Sequence, residues 1–196
     1  MFESNITVKR LLDELKNEVD IAVPVSDETY IAILNTLEQL LYTELIQEQR
    51  IISLSEEKFP LAIEDLLVED EATIRFEDVY SVYAGETQLT KTTAQSAAIF
   101  ADTFYKDGNK IAVNTRKKPT KIVYFVKPAL KTVETMESDT VKLPYEFVEL
   151  AKAKIRGEIY KIVNEDEHAA KWLNDYNVLL ETFKVWMANK SPQFGM

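Results

Sequence analysis

Residues 26–46 read SDETYIAILNTLEQLLYTELI, and this stretch decides the fold. A hydroxyl at Ser26 followed by two acidic residues is typical of a helix start, where free backbone N–H groups and the helix dipole favour them. Apolar side chains then recur at helical spacing for about five turns, which predicts one broad buried face. These side chains are Tyr30, Ile33, Leu34, Leu37, Leu40, Leu41, Leu45 and Ile46.

On the N-terminal side of this stretch, a shorter amphipathic helix is predicted over about residues 7–19. Thr7 stands where a hydroxyl can cap the free backbone N–H groups of that helix. Pro24 separates the two helices, because proline lacks an N–H and disfavours helical geometry in the residue before it. The start of the chain therefore predicts a helix pair.

A second helix pair is predicted in the last third of the chain. Leu143 and Pro144 precede a run whose apolar residues share one face up to Ile162. The sequence Asn-Glu-Asp-Glu at 164–167 breaks this helix, and apolar residues between 169 and 187 predict another one.

Between the helix pairs the sequence favours β-strands. β-branched and aromatic residues cluster at 51–54, 74–83 and 121–127, while residues 93–101 suit a short helix. Asp107-Gly108-Asn109 predicts a hairpin turn, because glycine and asparagine accept positive φ. The sequence thus predicts an α+β fold, a helical bundle built from the N- and C-terminal helix pairs with an antiparallel β insertion in the middle.

The predicted organisation has four segments. Residues 1–50 supply the first helix pair of the bundle, 51–135 the β-rich insertion, and 136–190 the second helix pair. Residues 191–196, SPQFGM, show no core pattern, and we expect a flexible docking tail there.

Composition excludes several classes of protein. The 196 residues are 46% hydrophobic, enough to fill a core, and a net charge of −10 argues against a protein that mainly coats nucleic acid. Without cysteine the chain has no disulfide framework, thiolate nucleophile, iron–sulfur cluster or cysteine-bound zinc. One histidine excludes a histidine-rich metal site, and four dispersed glycines form neither a phosphate-binding loop nor a dinucleotide fingerprint. We expect no catalytic residues, metal or cofactor.

The first residues, Met-Phe-Glu-Ser-Asn, lack the basic flank and apolar run of a secretory signal. No apolar stretch approaches the roughly 18–20 residues of a membrane span. We therefore expect the protein to stay in the cytoplasm where it is made.

Two acidic clusters contain residue types that could carry chemistry. Glu165 and His168 are spaced like one half of a carboxylate di-metal site, but no second histidine completes it, so a solvated helix start is favoured. Acids are dense between residues 64 and 78, where paired carboxylates would suit a general acid and base. A solvated face or charged contact surface is the favoured explanation. A small carboxylate-dependent hydrolase and a monomeric regulatory binding module remain open as alternatives.

Charge is segregated along the chain. Residues 106–131 contain eight basic side chains and one acid, whereas residues 56–78 contain nine acids and two basic side chains. Three explanations are open for these two stretches. They pair with each other within one molecule, or they stay solvated. Alternatively, the basic stretch of one copy meets an acidic face of a neighbour or partner, because complementary patches orient assemblies. Nucleic-acid binding is less favoured, since few aromatic residues are interleaved. The candidate inter-subunit or tail contacts are Arg116, Lys117, Lys118, Lys121, Glu69, Asp70 and Glu71.

The C-terminus supplies a second candidate contact. Residues beyond the end of a helix have little reason to be apolar unless something buries them, and ordering on binding would act as a switch. The candidate partner-binding residues are Trp186, Met187, Pro192, Phe194 and Met196, of which Trp186 also suits a plain core position.

In the order and length of these elements, from about residue 7 to 188, the chain resembles the head-to-tail adaptor (connector) proteins of tailed bacteriophages, especially those similar to tail tubular protein A. The long acidic stretch before the strands departs from that pattern. The resemblance is carried by Leu37, Leu40 and Leu41, the segments 104–113, 122–128 and 143–147, and Tyr160, 164–167, 169–170 and 176–177.

The resemblance implies a structural role without enzymatic activity. Such adaptors form a ring, typically of twelve copies, in the neck of the virion between the portal protein and the tail or nozzle. Viral DNA passes through the lumen without specific binding, and no membrane is involved. C-terminal segments of similar connectors often insert against the portal, which implies that role for residues 191–196.

Overall fold

The first helix begins where a threonine hydroxyl caps it. The computed structural model describes residues 2, 4–21, 23–54, 60–63 and 75–190. Within them, α1 (Val8–Glu18) follows Thr7, whose side chain accepts the backbone N–H of Arg10 at 3.2 Å. The apolar face of α1 is buried at Val8, Leu11, Leu12 and Leu15, which confirms the predicted amphipathic helix.

The long core helix is α2 (Asp27–Leu41), which starts directly after Ser26. Its end passes into a π-helical turn, Tyr42–Ile46, so helical backbone covers the whole predicted stretch. The predicted apolar face is buried or half-buried except at Leu40, which is 42% exposed.

Two sheets form the β unit, which spans residues 47–129. In its described part, four strands pair in the order β1-β8-β3-β4 and four in the order β2-β7-β6-β5. The strands are β1 (Gln49–Ser53), β2 (Leu61–Ala62), β3 (Val79–Ala84), β4 (Thr87–Gln88), β5 (Thr90–Thr92), β6 (Thr103–Asp107), β7 (Lys110–Asn114) and β8 (Lys121–Phe125).

Strand pairing is antiparallel except at one edge. β6 and β7 form the predicted hairpin, and Gly108 in its turn has a φ of 59°. β5 instead runs parallel to β6, and the short helix α3 (Ala94–Ala97) lies between them in the chain. Parallel neighbours need such a crossover, so the insertion is mixed rather than wholly antiparallel.

Aromatic and β-branched side chains fill the interior of the β unit. Phe76, predicted in a strand, lies instead in a 3₁₀ turn, Phe76–Asp78, and its ring is 5.9 Å from that of Phe104. Ile74, predicted in the same strand, lies outside the described residues. The side chains that are at most 1% exposed include Val79, Val82, Phe104, Ile111, Ile122 and Tyr124.

The second helix pair follows the β unit and confirms the predicted break. α4 (Val148–Ile162) continues from a 3₁₀ turn, and α5 (Asp166–Lys190) follows a turn in which Asn164 has a φ of 62°. The fully buried residues of α5 lie seven apart, a spacing that keeps one face of a helix against its neighbour. They are Ala169, Tyr176 and Phe183.

The two helix pairs form one helical unit, made of residues 1–46 and the chain from residue 130 onward. Its limits at 46/47 and 129/130 fall a few residues before the predicted ones at 50/51 and 135/136. Ile162, predicted on the buried face of α4, is 54% exposed. The unit has its own core, whose most buried members include Leu11, Leu12, Leu15, Leu34, Leu37, Leu41, Leu143, Leu150, Ile155, Ile159 and Phe183.

An ion pair is buried inside the helical unit. Glu38 of α2 and Lys131 are 1% and 4% exposed, and the Lys131 ammonium donates to Glu38 Oε2. Glu38 Oε1 accepts the backbone N–H of Lys142 at 2.8 Å. Asn35, one turn earlier, exchanges two hydrogen bonds of 2.9 Å with the backbone of Lys131. Burial raises the pKa of the Glu38 carboxyl, and the charge of Lys131 opposes that effect.

The N-terminal residues hold the same returning segment from another side. The backbone N–H and the hydroxyl of Ser4 both donate to the Val141 carbonyl, at 3.2 and 3.0 Å. The backbone N–H of Val8 donates to the Asp139 carbonyl at 2.9 Å. Residues 131–142 are therefore fixed by α2 and by the residues that open α1.

α4 and α5 approach each other closely at Gly157. A Cβ at this position would lie 2.7 Å from Cγ of Leu173 and 3.2 Å from its backbone nitrogen. Such distances leave no room for a methyl group unless one helix shifts.

Removing one partner of the buried pair is expected to destabilise the protein strongly. Glu38→Ala leaves an uncompensated ammonium at Lys131 and an unpaired N–H at Lys142, so the free energy of unfolding should fall by about 3–5 kcal/mol. The double variant Glu38→Met/Lys131→Met removes both charges and should lose less than Glu38→Ala alone. Denaturant unfolding measures both losses, and one below about 1 kcal/mol for Glu38→Ala would contradict this role.

Gly157→Ala is expected to destabilise the helical unit by about 1–2 kcal/mol, because the cost of overpacking exceeds the gain in helix propensity. The control is a double-mutant cycle with Leu173→Ala, which opens space beside the new methyl group. Denaturant unfolding of the four proteins should show a favourable coupling between the two substitutions. Strictly additive losses would mean that Leu173 does not set the helix spacing.

Candidate functional site

The predicted basic surface lies mostly on the β unit, and the structure divides it into engaged and exposed parts. Lys127 Nζ forms an ion pair with Asp78 Oδ1 at 2.6 Å. Lys121 of β8 lies over the Tyr83 ring, with Nζ 4.2 Å from its centre. Lys131 belongs to the buried pair of the helical unit. These lysines therefore serve internal contacts.

The exposed part includes Lys106 and Lys110 of the β6–β7 hairpin and the turn between β7 and β8, which carries Arg116, Lys117 and Lys118. The backbone N–H of Lys117 donates to the Thr115 hydroxyl at 3.2 Å, and Lys117 Nζ donates to the Thr87 hydroxyl at 2.6 Å. Both of these partners are neutral, so neither offsets the charge of Lys117. We call residues 116–118 the basic turn.

The acids predicted to face the basic residues, Glu69, Asp70 and Glu71, lie outside the described residues. From the same acidic stretch, Asp78 is described and is 8% exposed. Its ion pair with Lys127 makes it an internal partner in the β unit.

Trp186 is half-buried near the end of α5 and belongs to an aromatic cluster. The rings of Phe2, Phe147 and Phe183 lie 5.2–5.9 Å from its ring. Met187 packs against the same core. Pro192, Phe194 and Met196 lie outside the described residues, so a docking role for the tail stays a prediction.

His168 lies on the surface at the start of α5. Its Nδ1 is 3.3 Å from Glu165 Oε2, and its ring stacks on Tyr160 at 5.1 Å. Within the described ranges, no group of three or more histidine, cysteine or acidic side chains is arranged to hold a metal ion.

An apolar tip projects from the β unit between α3 and β6. Ile99 and Phe100 are 78% and 60% exposed, although both side chains are large and apolar. The sequence predicts a short helix over residues 93–101, but α3 ends at Ala97 and leaves Ile99 and Phe100 beyond it. We call Ile99 and Phe100 the apolar tip.

Hydrogen bonds hold the apolar tip in one conformation. The Asn114 amide donates to the carbonyls of Ala97 and Phe100, at 2.5 and 3.1 Å. The backbone N–H groups of Ile99 and Phe100 both donate to the Ser96 carbonyl at 3.0 Å. The tip is therefore exposed to solvent, while hydrogen bonds hold its backbone.

A groove of about 350 Å³ lies between α4 and α5 in the helical unit. Its apolar lining consists of Ala153 on α4 and Trp172, Val178 and Leu179 on α5. Val178 is 61% exposed, so an apolar side chain at the rim meets solvent. Glu149 and Asp175 also line the groove.

Arg156 lines the same groove and carries an unmatched donor. The residue is 8% exposed, its guanidinium lies 4.3 Å over the Trp172 ring, and it pairs with Glu18. Its Nε has no acceptor among the residues that the structure describes. Burial lowers the pKa of Arg156, although a guanidinium stays charged in proteins. A buried donor without an acceptor costs about 1–3 kcal/mol.

Sequence reasoning missed both the tip and the groove as interaction surfaces. The sequence signal for the tip was the pair of adjacent bulky apolar residues, Ile99 and Phe100, beside a polar segment. Trp172 and Leu179 were assigned to the apolar face of the last helix, and spacing alone does not show which edge of that face stays open.

Comparison of the chain with protein-family models found no match, and comparison with curated proteins found none either. Across the described ranges, no helix has both the length and the apolar character needed to cross a bilayer.

Asn114→Ala is expected to loosen the apolar tip, because it removes the two hydrogen bonds that the Asn114 amide donates to the carbonyls of Ala97 and Phe100. Exchange of the Ile99 and Phe100 amide hydrogens should accelerate by about tenfold, because losing about 1.4 kcal/mol of local stability shifts an equilibrium by that factor. Hydrogen exchange measures this, with the amides of β8 as an internal reference. Unchanged exchange at the tip would mean that Asn114 does not brace it.

Proposed function

We propose that the protein is a head-to-tail adaptor of a tailed bacteriophage, a structural component without enzymatic activity. Copies of it form a ring in the virion neck between portal and tail, and DNA passes through the lumen. The choice of this family rests on the resemblance in element order, because helix pairs at both ends of the chain enclose a β insertion. The contrast between the exposed basic turn of the β unit and the acidic helical unit carries the proposal at the level of assembly.

The two units differ in charge. The helical unit contains twenty acidic and twelve basic residues. The β unit, residues 47–129, contains eleven basic and thirteen acidic residues and is close to neutral, but seven of its basic residues lie between 106 and 127. One chain therefore offers an acidic helical unit and a basic turn on the β unit.

A subunit with two unlike surfaces can associate head to tail with further copies. Contacts between unlike surfaces are heterologous, and they generate a ring when the rotation from copy to copy closes. Opposite charges also orient approaching copies and suppress the wrong pairing. A net charge of −10 fits the passage of DNA, because an anionic wall does not hold the phosphate backbone.

The portal and the tail complete the set of proposed partners. Residues 191–196 follow α5 directly and contain Phe194 and Met196, which supports insertion of this tail against the portal. Residues of the basic turn and the acids at 69–71 are the proposed contacts with a neighbouring copy or with the tail.

The mass of the protein in solution tests this function. Light scattering at low and high salt, with and without a purified portal ring, should show one defined ring complex on the portal at low salt. Association should weaken at high salt, because the screening length falls from about 10 Å at 0.1 M to about 3 Å at 1 M. A stable monomer indifferent to the portal would contradict the adaptor and favour a carboxylate-dependent hydrolase or a regulatory binding module.

A further inference from the structure

The apolar tip of the β unit has the properties of an interface anchor. Phe100 is exposed, and its loop is already held by hydrogen bonds, so little conformational freedom remains to be lost on binding. Aromatic side chains of this kind supply much of the binding energy when they enter a pocket in a partner.

Positive charge lies beside the tip. The Thr115 hydroxyl donates to Asp102 Oδ1 at 2.7 Å, and Asn114 binds the Phe100 carbonyl, so the basic turn begins next to the tip. An apolar centre with a charged edge is the usual composition of a protein interface. The matching partner has an apolar hollow and acidic residues at its edge.

The α4–α5 groove has that composition. An apolar cavity of about 150 Å³ holds a benzene ring, so a groove of about 350 Å³ has room for the side chains of Phe100 and Ile99. Asp175 lines the groove and forms no ion pair with a described residue, while Glu149 pairs with Lys152 at 3.0 Å. Lys171 also lies near Trp172, at 5.3 Å, but the helical unit as a whole is strongly acidic.

A second groove on the helical unit, about 460 Å³, has no charged residue in its lining. It is lined by Asn35, Thr36, Gln39, Leu40, Thr43 and Leu130, so charge favours the α4–α5 groove as the site for a basic tip.

We infer that the apolar tip of one copy inserts into the α4–α5 groove of the next copy, with the basic turn facing Glu149 and Asp175. This contact rests on the ring proposed above and identifies its subunit interface. Each copy has the apolar tip and the α4–α5 groove on different units, so the interface is heterologous and continues from copy to copy until the ring closes.

Mixing two variants tests the contact. Phe100→Asp disables the tip and Val178→Lys obstructs the groove, and both positions are more than half exposed, so circular dichroism should show unchanged folding. Each variant alone should lose ring formation, with copy-to-copy affinity weaker by at least about 30-fold. Mixed one to one they should form a dimer and stop, because one intact tip and one intact groove remain.

Matched controls carry the same charge changes elsewhere on the same units. Ile51→Asp on the β unit and Val185→Lys on α5 replace side chains that are 64% and 61% exposed, and both should form rings as the unaltered protein does. If Phe100→Asp and Val178→Lys also form normal rings, the inference is wrong while the adaptor function stands.

A disulfide trap tests the same contact without relying on ring formation. The chain has no cysteine, so introduced thiols react without background. Ala101→Cys mixed with Val178→Cys should give a mixed disulfide, whereas Ala101→Cys with Val185→Cys should not, since seven helical residues span about 10 Å.

Two outcomes of the trap would overturn the contact. A disulfide between Phe194→Cys and Val178→Cys, with none from Ala101→Cys, would assign the groove to the C-terminal tail. If the unaltered protein ignores the portal, the adaptor function fails. In that case the disulfide experiment at high protein concentration still tests whether the tip enters the groove. The absence of a disulfide between Ala101→Cys and Val178→Cys would refute this contact.

Discussion

The buried carboxylate of Glu38 is the interaction on which the helical unit depends. The chain leaves this unit at residue 46 and returns at residue 130, so nothing local guides the returning segment into place. Glu38 and Asn35, one turn apart on α2, bind a side chain and three backbone groups of that segment. An apolar pair of equal volume would fill the same space but would lack the two hydrogen bonds that Glu38 accepts. The ion pair and Asn35 together tie the returning segment to α2.

The two surfaces that we propose to form the subunit contact differ in how they are held. The groove lies between two helices whose spacing is limited by Gly157, so its shape follows from packing in the helical unit. The tip belongs to a loop of the β unit and is shaped by hydrogen bonds, chiefly those of Asn114. A preformed tip and a preformed groove favour an interface that forms without rearrangement of either unit.

Much of the fold was predictable because its signals are local. Apolar spacing located the long helices, Pro24 and Asn164 marked their ends, and Asp107-Gly108-Asn109 located the hairpin. The buried ion pair was not predictable, since Glu38 looks like a polar position on an amphipathic helix and Lys131 looks like part of a basic patch. Their pairing joins residues 93 apart in the chain, and no periodicity records it.

The same limit applies to the candidate site. The cations of the basic turn were identified, because charge density is visible in one dimension. The parallel pairing of β5 with β6 and the exposure of Ile99 and Phe100 depend on how strands and loops meet in space. The groove depends on Arg156, Trp172 and Asp175, which share an opening only once two helices have packed.

The position of the β unit within the chain also sets the order of folding during synthesis. α1 and α2 leave the ribosome first, yet Glu38 has no partner until Lys131 has been made. The β unit is continuous in sequence and can fold in the meantime, whereas closure between distant segments is slow. The apolar faces of the first two helices stay without their core throughout that interval. The nascent chain therefore exposes apolar surface at this stage, which is the kind of surface that promotes aggregation and that chaperones protect.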